Sequence, residues 1–332
     1  MKYKQSKRID AKLSALGMGC WSLAGKSSWC HADASRSIDI VHQAIEKGIN
    51  LFDVAPVYGL GVAEEVLGKA LKGRRDKAFI ASKCGLVWDA EGNVSNKLGA
   101  EALKQEIDQC LARLQTDYLD LWQVHWPTDD TPLEETMSAL SEIKQSGKIR
   151  HIGVSNFSLS QLKAAESVTE IASYQGLYNL LERNASSYHG IGLGYRIEQE
   201  ILPYCQDKGI AFLPYSPLMQ GVLSGAFSGP QQFSGGDVRA NNPKLNGQGW
   251  QSLSPAVAAL KAFAAGMGKP LNEVALNWLI ANPSVTSVIA GATRSEQLDK
   301  NLGAMDWSLS QSQLDALEQI LAPFVGGESG VE

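Results

Sequence analysis

The sequence predicts an α/β chain that closes into a (β/α)8 TIM barrel. Short apolar runs alternate with longer stretches of helical period from end to end, and the strand-like runs number eight. No Pro/Gly-rich linker or shift of composition divides the 332 residues, so a single domain over 1–332 is expected.

Met1–Lys12 precedes the first barrel strand and is expected to form a small hairpin that plugs the N-terminal mouth. Strands are expected at Leu16–Trp21, Asn50–Val54, Ala78–Lys83, Tyr118–His125, Ile149–Ser155, Ala172–Tyr178, Ile210–Ser216 and Ser287–Ala290. Helical periods fall near Ser35–Lys47, Ala63–Leu71, Ala100–Leu114, Leu133–Ser146, Leu159–Ser167, Arg196–Lys208 and Ser295–Leu302. Two more, near Pro255–Gly266 and Leu271–Ala281, lie between the last two strands.

Several helices carry start and stop signals. Thr131-Pro132-Leu133-Glu134 offers a capping hydroxyl, a proline at the first helical position and a glutamate at the third. Ser158 with Gln161 makes a second capping box, and Ser254-Pro255 repeats the cap-plus-proline start. Gly48, Gly147 and Gly209 each follow a helical run, where a left-handed C-cap needs no Cβ. Gly221–Trp250, rich in Gly, Ser, Gln and Asn, has no clear period and follows the seventh strand. It is read as a lid on the active-site face.

Composition narrows the function. The apolar fraction of 44% and charged fraction of 20% are those of a globular protein with ample core. A net charge of −5 without a basic block argues against bulk nucleic-acid binding. Five widely spaced cysteines (Cys20, Cys30, Cys84, Cys110, Cys205) form no C-x-x-C pair, which suits a reducing compartment rather than a disulfide framework. No signal-peptide h-region and no membrane-spanning apolar stretch is present, so a cytoplasmic location is expected. The histidines His31, His42, His125, His151 and His189 lack metal-ligand spacing, so no metal is expected.

Asp53, Tyr58, Lys83 and His125 each stand at, or just beyond, the C-terminal end of an expected strand. In a closed parallel barrel that is the rim where side chains from separate strands converge on one pocket. A phenol ordinarily holds its proton at neutral pH, and a fixed ammonium nearby favours the phenolate. Lys83 is placed to supply that charge, Asp53 to keep it protonated, and His125 to hydrogen-bond a carbonyl oxygen. Together they form a proton-delivery device. The sequence has no G-x-S-x-G elbow for a serine nucleophile. Gly17-Met-Gly19 fails as a dinucleotide fingerprint because the third glycine position is Ser22. Hydride from a cofactor bound in some other way is left.

These residues resemble the catalytic tetrad of the aldo-keto reductases, and the resemblance covers essentially the whole chain. Supporting stretches are Asn50–Gly59, Gly147–Phe157, Tyr215-Ser216-Pro217-Leu218, and Gly291-Ala292-Thr293 through Gln297 to Asn301. The resemblance implies a barrel that binds NADPH across its C-terminal face. It assigns Ser155, Asn156 and Gln175 to the nicotinamide carboxamide and Tyr215 to stacking on the ring. Ser216, Leu218, Gln220, Gly221 and Leu223 fall to the pyrophosphate loop, and Gly291, Thr293, Gln297 and Asn301 to the adenosine end. The turn into the last helical run offers backbone N–H groups to a phosphate. Arg294 and Arg239 are the candidate cations for a 2′-phosphate, which would favour NADPH over NADH. Trp21, Trp88 and Trp126 follow or end strands near the same rim and are expected to wall the substrate pocket.

The expected activity is NADPH-dependent transfer of hydride between nicotinamide and a small aldehyde, ketone or sugar carbonyl, with Tyr58 as general acid/base. One rival uses Lys83 as a Schiff-base nucleophile, which needs a neutral amine that Asp53 disfavours. A second rival, drawn from the resemblance, is a cofactor-binding regulatory subunit akin to potassium-channel β subunits.

Overall fold

The computed structural model describes residues 1–27, 34–227, 229, 233 and 237–325. Cys30, His31 and parts of the expected lid (228, 230–232 and 234–236) lie outside the described residues.

Eight parallel strands form the barrel: β1 Leu16–Gly19, β2 Leu51–Asp53, β3 Phe79–Cys84, β4 Leu119–Val124, β5 Ile149–Ser155, β6 Ser173–Leu177, β7 Ala211–Tyr215 and β8 Val288–Gly291. Their spatial order is β7-β6-β5-β4-β3-β2-β1-β8. Closure between β7 and β8 runs through one parallel bridge, Phe212 to Val285, with Thr286 N–H donating to Phe212 O at 2.9 Å. Each expected strand is present, trimmed by one or more residues at most ends.

The N-terminal hairpin is present. Tyr3–Lys4 pairs antiparallel with Leu13–Ser14. Ile9 and Leu13 are fully buried against Leu51, Phe79, Ala81, Leu121, Leu213 and Ile289, which fill the barrel interior. Burying each aliphatic side chain there contributes roughly 1.5–3 kcal/mol.

The helices α1 Ala34–Glu46, α2 Val62–Ala70, α3 Ala100–Leu114, α4 Leu133–Gln145, α5 Leu159–Val168 and α6 Leu202–Lys208 surround the barrel. They are followed by α7 Gly247–Gly266, α8 Leu271–Ala281, α9 Ser295–Leu302 and α10 Gln311–Val325. α3 shows why such a run is helical. Leu103, Ile107, Cys110, Leu111 and Leu114 make one buried stripe toward the sheet, at helical spacing.

Several elements depart from expectation. Pro132 is itself the N-cap of α4, with no side-chain bond from Thr131. The segment expected as helix from Arg196 opens with a π turn, Ile197–Ile201, before α6. α7 starts at Gly247 and runs through Pro255, where Ser254 Oγ donates to Gln251 O at 3.2 Å, a carbonyl that proline cannot serve. α10 was not expected, although Ser310 and Gln313 cap it reciprocally, at 2.8 and 3.3 Å. The expected lid is also more ordered than an aperiodic loop: its described part holds 3-10 turns at Met219–Ser224, Val238–Asn241 and Pro243–Leu245.

Candidate active site

The C-terminal ends of β2, β3 and β4 bring the expected tetrad together. Asp53 ends β2, Tyr58 sits in the turn that follows, Lys83 lies in β3, and His125 follows β4. The Lys83 side chain is fully buried in the barrel mouth. Its Nζ donates to Asp53 Oδ1 and Oδ2 at 2.7 and 2.9 Å, to Val54 O at 3.2 Å and to Tyr58 Oη at 3.1 Å. The second Asp53 oxygen also accepts from Gln175 Nε2 at 2.8 Å. The His125 ring meets Tyr58 edge-on, with centroids 6.0 Å apart, and the Trp21 ring stacks on Tyr58 at 5.9 Å.

Burial is the larger influence on Tyr58. It pushes the phenol above its ordinary value, and the adjacent Lys83 charge withdraws only part of that rise. Lys83 pulls the phenol down as expected, but desolvation, which that expectation left out, sets the net direction. Burial also opposes charging Lys83, but Asp53 and Tyr58 outweigh it, and the amine is held above its ordinary value. For His125, burial and then the Lys83 charge hold the imidazole well below its ordinary value. At neutral pH the site therefore presents a protonated phenol, an ammonium paired with a carboxylate, and a neutral imidazole.

Around this centre the backbone is strained. Among the described residues, seven other than glycine have positive φ. Six of them lie in loops at the C-terminal ends of strands: Leu60, Asn156, His189, Ser216, Met219 and Gln220. Gln115 is instead the left-handed C-cap of α3. Such strain is held where surrounding structure over-determines the loop, as at functional sites.

The residues expected at the carboxamide are close-set but differ in what they offer. Asn156 is saturated: its Nδ2 donates to His125 O and Ser155 Oγ at 3.1 and 3.0 Å, and its Oδ1 accepts from Tyr195 and Tyr215 at 3.0 and 2.9 Å. Ser155 and Gln175 are buried beside it, at the end of β5 and within β6. Tyr215 ends β7, with its ring edge against Tyr188 at 5.3 Å. Beyond it, Ser216, Leu218, Gln220, Gly221 and Leu223 form one tight turn in which Gly221 and Leu223 N–H both donate to Leu218 O. Gln220 is anchored on both sides, by Asn242 Nδ2 at 2.9 Å and by His189.

At the far end, Gly291 closes β8, and Asn301 Nδ2 donates to its carbonyl at 3.3 Å. Thr293 N–H and Oγ1 both donate to Gln297 Oε1, at 2.7 and 2.8 Å. Arg294 is exposed at the N-cap of α9, and its guanidinium has no hydrogen bond or ion pair among the described residues. A guanidinium beside the first turn of a helix is an arrangement able to hold an anion. Arg239, the other candidate cation for a 2′-phosphate, forms a forked pair with Asp237 at 2.6–3.1 Å.

The three tryptophans expected at the substrate pocket have different neighbours. Trp21 lies on Tyr58, Trp88 lies over the Arg113 guanidinium at 5.5 Å, and Trp126 packs against the helical layer's core while its carbonyl accepts from Asn96. Sequence reasoning missed Tyr195 and Tyr188, whose hydroxyls orient Asn156 and Ser216. It also missed Glu64, a fully buried carboxylate behind Lys83.

The sequence model of the aldo/keto reductase family matches residues 15–322. The chain belongs to the aldo-keto reductase family. It is 33% identical to the aldo-keto reductase YhdN of Bacillus subtilis, over all of this chain and 97% of that one. It is 31% identical to the NADH-specific methylglyoxal reductase of Escherichia coli, covering 94% and 95% of the two chains. Among solved structures, a glycerol dehydrogenase from Gluconobacter oxydans matches with a TM-score of 0.86 and 32% identity, over 98% of this chain and 96% of that one. The chain is thus an oxidoreductase of a family that acts on carbonyl substrates with nicotinamide cofactors. Among the described residues, no helix is long and apolar enough to cross a membrane.

Proposed function

We propose that the protein is an NADPH-dependent carbonyl reductase acting on a small aldehyde, ketone or sugar carbonyl, with Tyr58 as its proton donor. The observation that carries this reading is the 3.1 Å approach of Lys83 Nζ to Tyr58 Oη, with Asp53 holding the amine. A bound nicotinamide supplies the hydride. Tyr58 starts protonated and donates to the carbonyl oxygen; as its proton leaves, Lys83 offsets the negative charge that develops on the phenol oxygen. Neutral His125 orients the same carbonyl oxygen by donating one hydrogen bond.

Ser155 and Gln175 hold the carboxamide in this reading, and Asn156 fixes His125 and Tyr215 in place. Tyr215 supports the nicotinamide face, the 216–223 turn covers the pyrophosphate, and Thr293, Gln297, Asn301 and Gly291 frame the adenosine. Arg294 is the cation for a 2′-phosphate, and Trp21 walls the substrate side. An NADH-using variant of the reaction has one specific support, the E. coli relative named as NADH-specific. The two cofactors are therefore compared directly. Absorbance of NADPH and of NADH is followed with a panel of aldehydes, ketones and sugars, in both directions. Faster turnover with NADPH is expected. Faster turnover with NADH rejects the cofactor assignment, and no turnover with any carbonyl rejects the reductase.

A further inference from the structure

Behind the tetrad, on the side of β3 facing the helices, lies a carboxylate with no part in the proposed proton transfer. Glu64 is fully buried. It sits on α2, which begins just after the turn that carries Tyr58. Three donors from two other elements converge on it. Ser82 Oγ, from the residue next to Lys83 in β3, donates to Glu64 Oε1 at 2.9 Å. Cys110 Sγ donates to the same oxygen at 2.8 Å, and Arg113 Nε donates to Oε2 at 2.6 Å, both from α3.

The packing around Glu64 is as close as backbone allows. A Cβ on Gly68 would stand 2.7 Å from the Leu114 carbonyl, so α2 and α3 touch main chain to main chain. Gly61, at φ +96°, lies under Arg113, whose Cδ would stand 2.8 Å from an added Cβ. The turn between β2 and α2 is thus tied to β3 at both ends. Val54 N–H donates to Ala81 O at 2.8 Å before Tyr58, and Glu64 takes the Ser82 hydroxyl after it. Lys83 is the next residue along β3.

We propose that Glu64 is a positioning residue for the reaction: its buried carboxylate holds the turn carrying Tyr58 against the strand carrying Lys83. The inference rests on the proposed role of Tyr58 and extends it to the support behind the Tyr58–Lys83 approach. A buried carboxylate that served packing alone would move stability and leave the chemistry untouched. A carboxylate that sets the distance between phenol and amine moves the turnover and its pH dependence.

The test compares Glu64→Gln and Ser82→Ala with wild type, on folded protein checked by circular dichroism. Steady-state kinetics are measured across pH, and NADPH affinity by fluorescence titration. In Glu64→Gln, kcat is expected to fall by about tenfold to a hundredfold, the scale of a misplacement near 1 Å. KM for the carbonyl and affinity for NADPH stay near wild type. The alkaline limb of kcat moves to higher pH, because a weaker Lys83 contact leaves the phenol proton more tightly held. Ser82→Ala shows a smaller change in the same direction, and decides the matter if the glutamine variant does not fold. A lowered melting temperature with wild-type kcat and an unmoved alkaline limb overturns the proposal. Wild-type turnover in Tyr58→Phe would instead overturn the reading of the site on which it rests.

Discussion

Lys83 and Tyr58 meet at 3.1 Å inside the barrel mouth, and the same amine makes two bonds to Asp53, at 2.7 and 2.9 Å. The pair is sealed: Lys83 is fully buried, and Asp53 is nearly so. An ammonium so enclosed keeps its charge against burial through Asp53 and then Tyr58, and in the proposed mechanism that charge offsets the one developing on the phenol.

Lys83→Met should therefore damage both stability and chemistry. It leaves the Asp53 carboxylate buried without its cation, which costs about 3–5 kcal/mol. Turnover should fall by about two to three orders of magnitude, the scale of one lost charge-stabilising donor. Adding Asp53→Asn to the same protein should restore much of the stability and none of the turnover. Denaturant unfolding and steady-state kinetics on the single and double variants check both halves.

Another buried acid near β3 gives a pH signature. Glu106 Oε2 accepts from Gly85 N–H at 2.9 Å, while its Oε1 has no hydrogen-bond partner among the described residues. Burial raises the carboxyl to about 7, the Gly85 bond opposes the rise, and Glu64 adds to it. The folded state then binds a proton that the unfolded chain releases above its ordinary value of 4.5. The resulting stability is fully present below pH 4.5 and is lost as pH rises through about 7. Glu106→Gln should remove that loss, worth on the order of 3 kcal/mol, and so be more stable than wild type at pH 8. Unfolding free energies at pH 5 and pH 8 measure it; a wild-type slope in the variant would rule out this titration.

Arg294 gives a cofactor prediction. In Arg294→Ala the dissociation constant for NADPH should rise about tenfold, the loss of roughly 1.4 kcal/mol in one charge-assisted contact. Affinity for NADH should not change. Equal weakening for both cofactors would place Arg294 elsewhere than at the 2′-phosphate.

Much of this was legible in the sequence, for physical reasons that particular residues show. Leu16, Leu51, Phe79 and Leu121 sit in short apolar runs that only a buried strand explains, and Gly48 and Gly209 mark helix ends by their positive φ. Because parallel strands end on one face, Asp53, Lys83 and His125 had to gather once the barrel closed. Side-chain pairing was less accessible. Glu64 and Glu106 lie on helices where acids usually face solvent, so periodicity alone does not mark them as buried. Their burial depends on how closely α2 and α3 approach at Gly68, a tertiary fact. The forked Arg239–Asp237 pair is local in sequence, and the D-x-R spacing was the available signal for it. The net direction of the Tyr58 shift depends on the depth of its pocket, which no spacing encodes.

The decisive variant is Tyr58→Phe, which removes one oxygen from the face beside Lys83. Single-turnover reduction of a reactive aldehyde is followed by NADPH absorbance, with cofactor affinity titrated separately. Hydride transfer should slow by about two to four orders of magnitude while NADPH binding stays unchanged. Hydride transfer at the wild-type rate would strip Tyr58 of its role as proton donor.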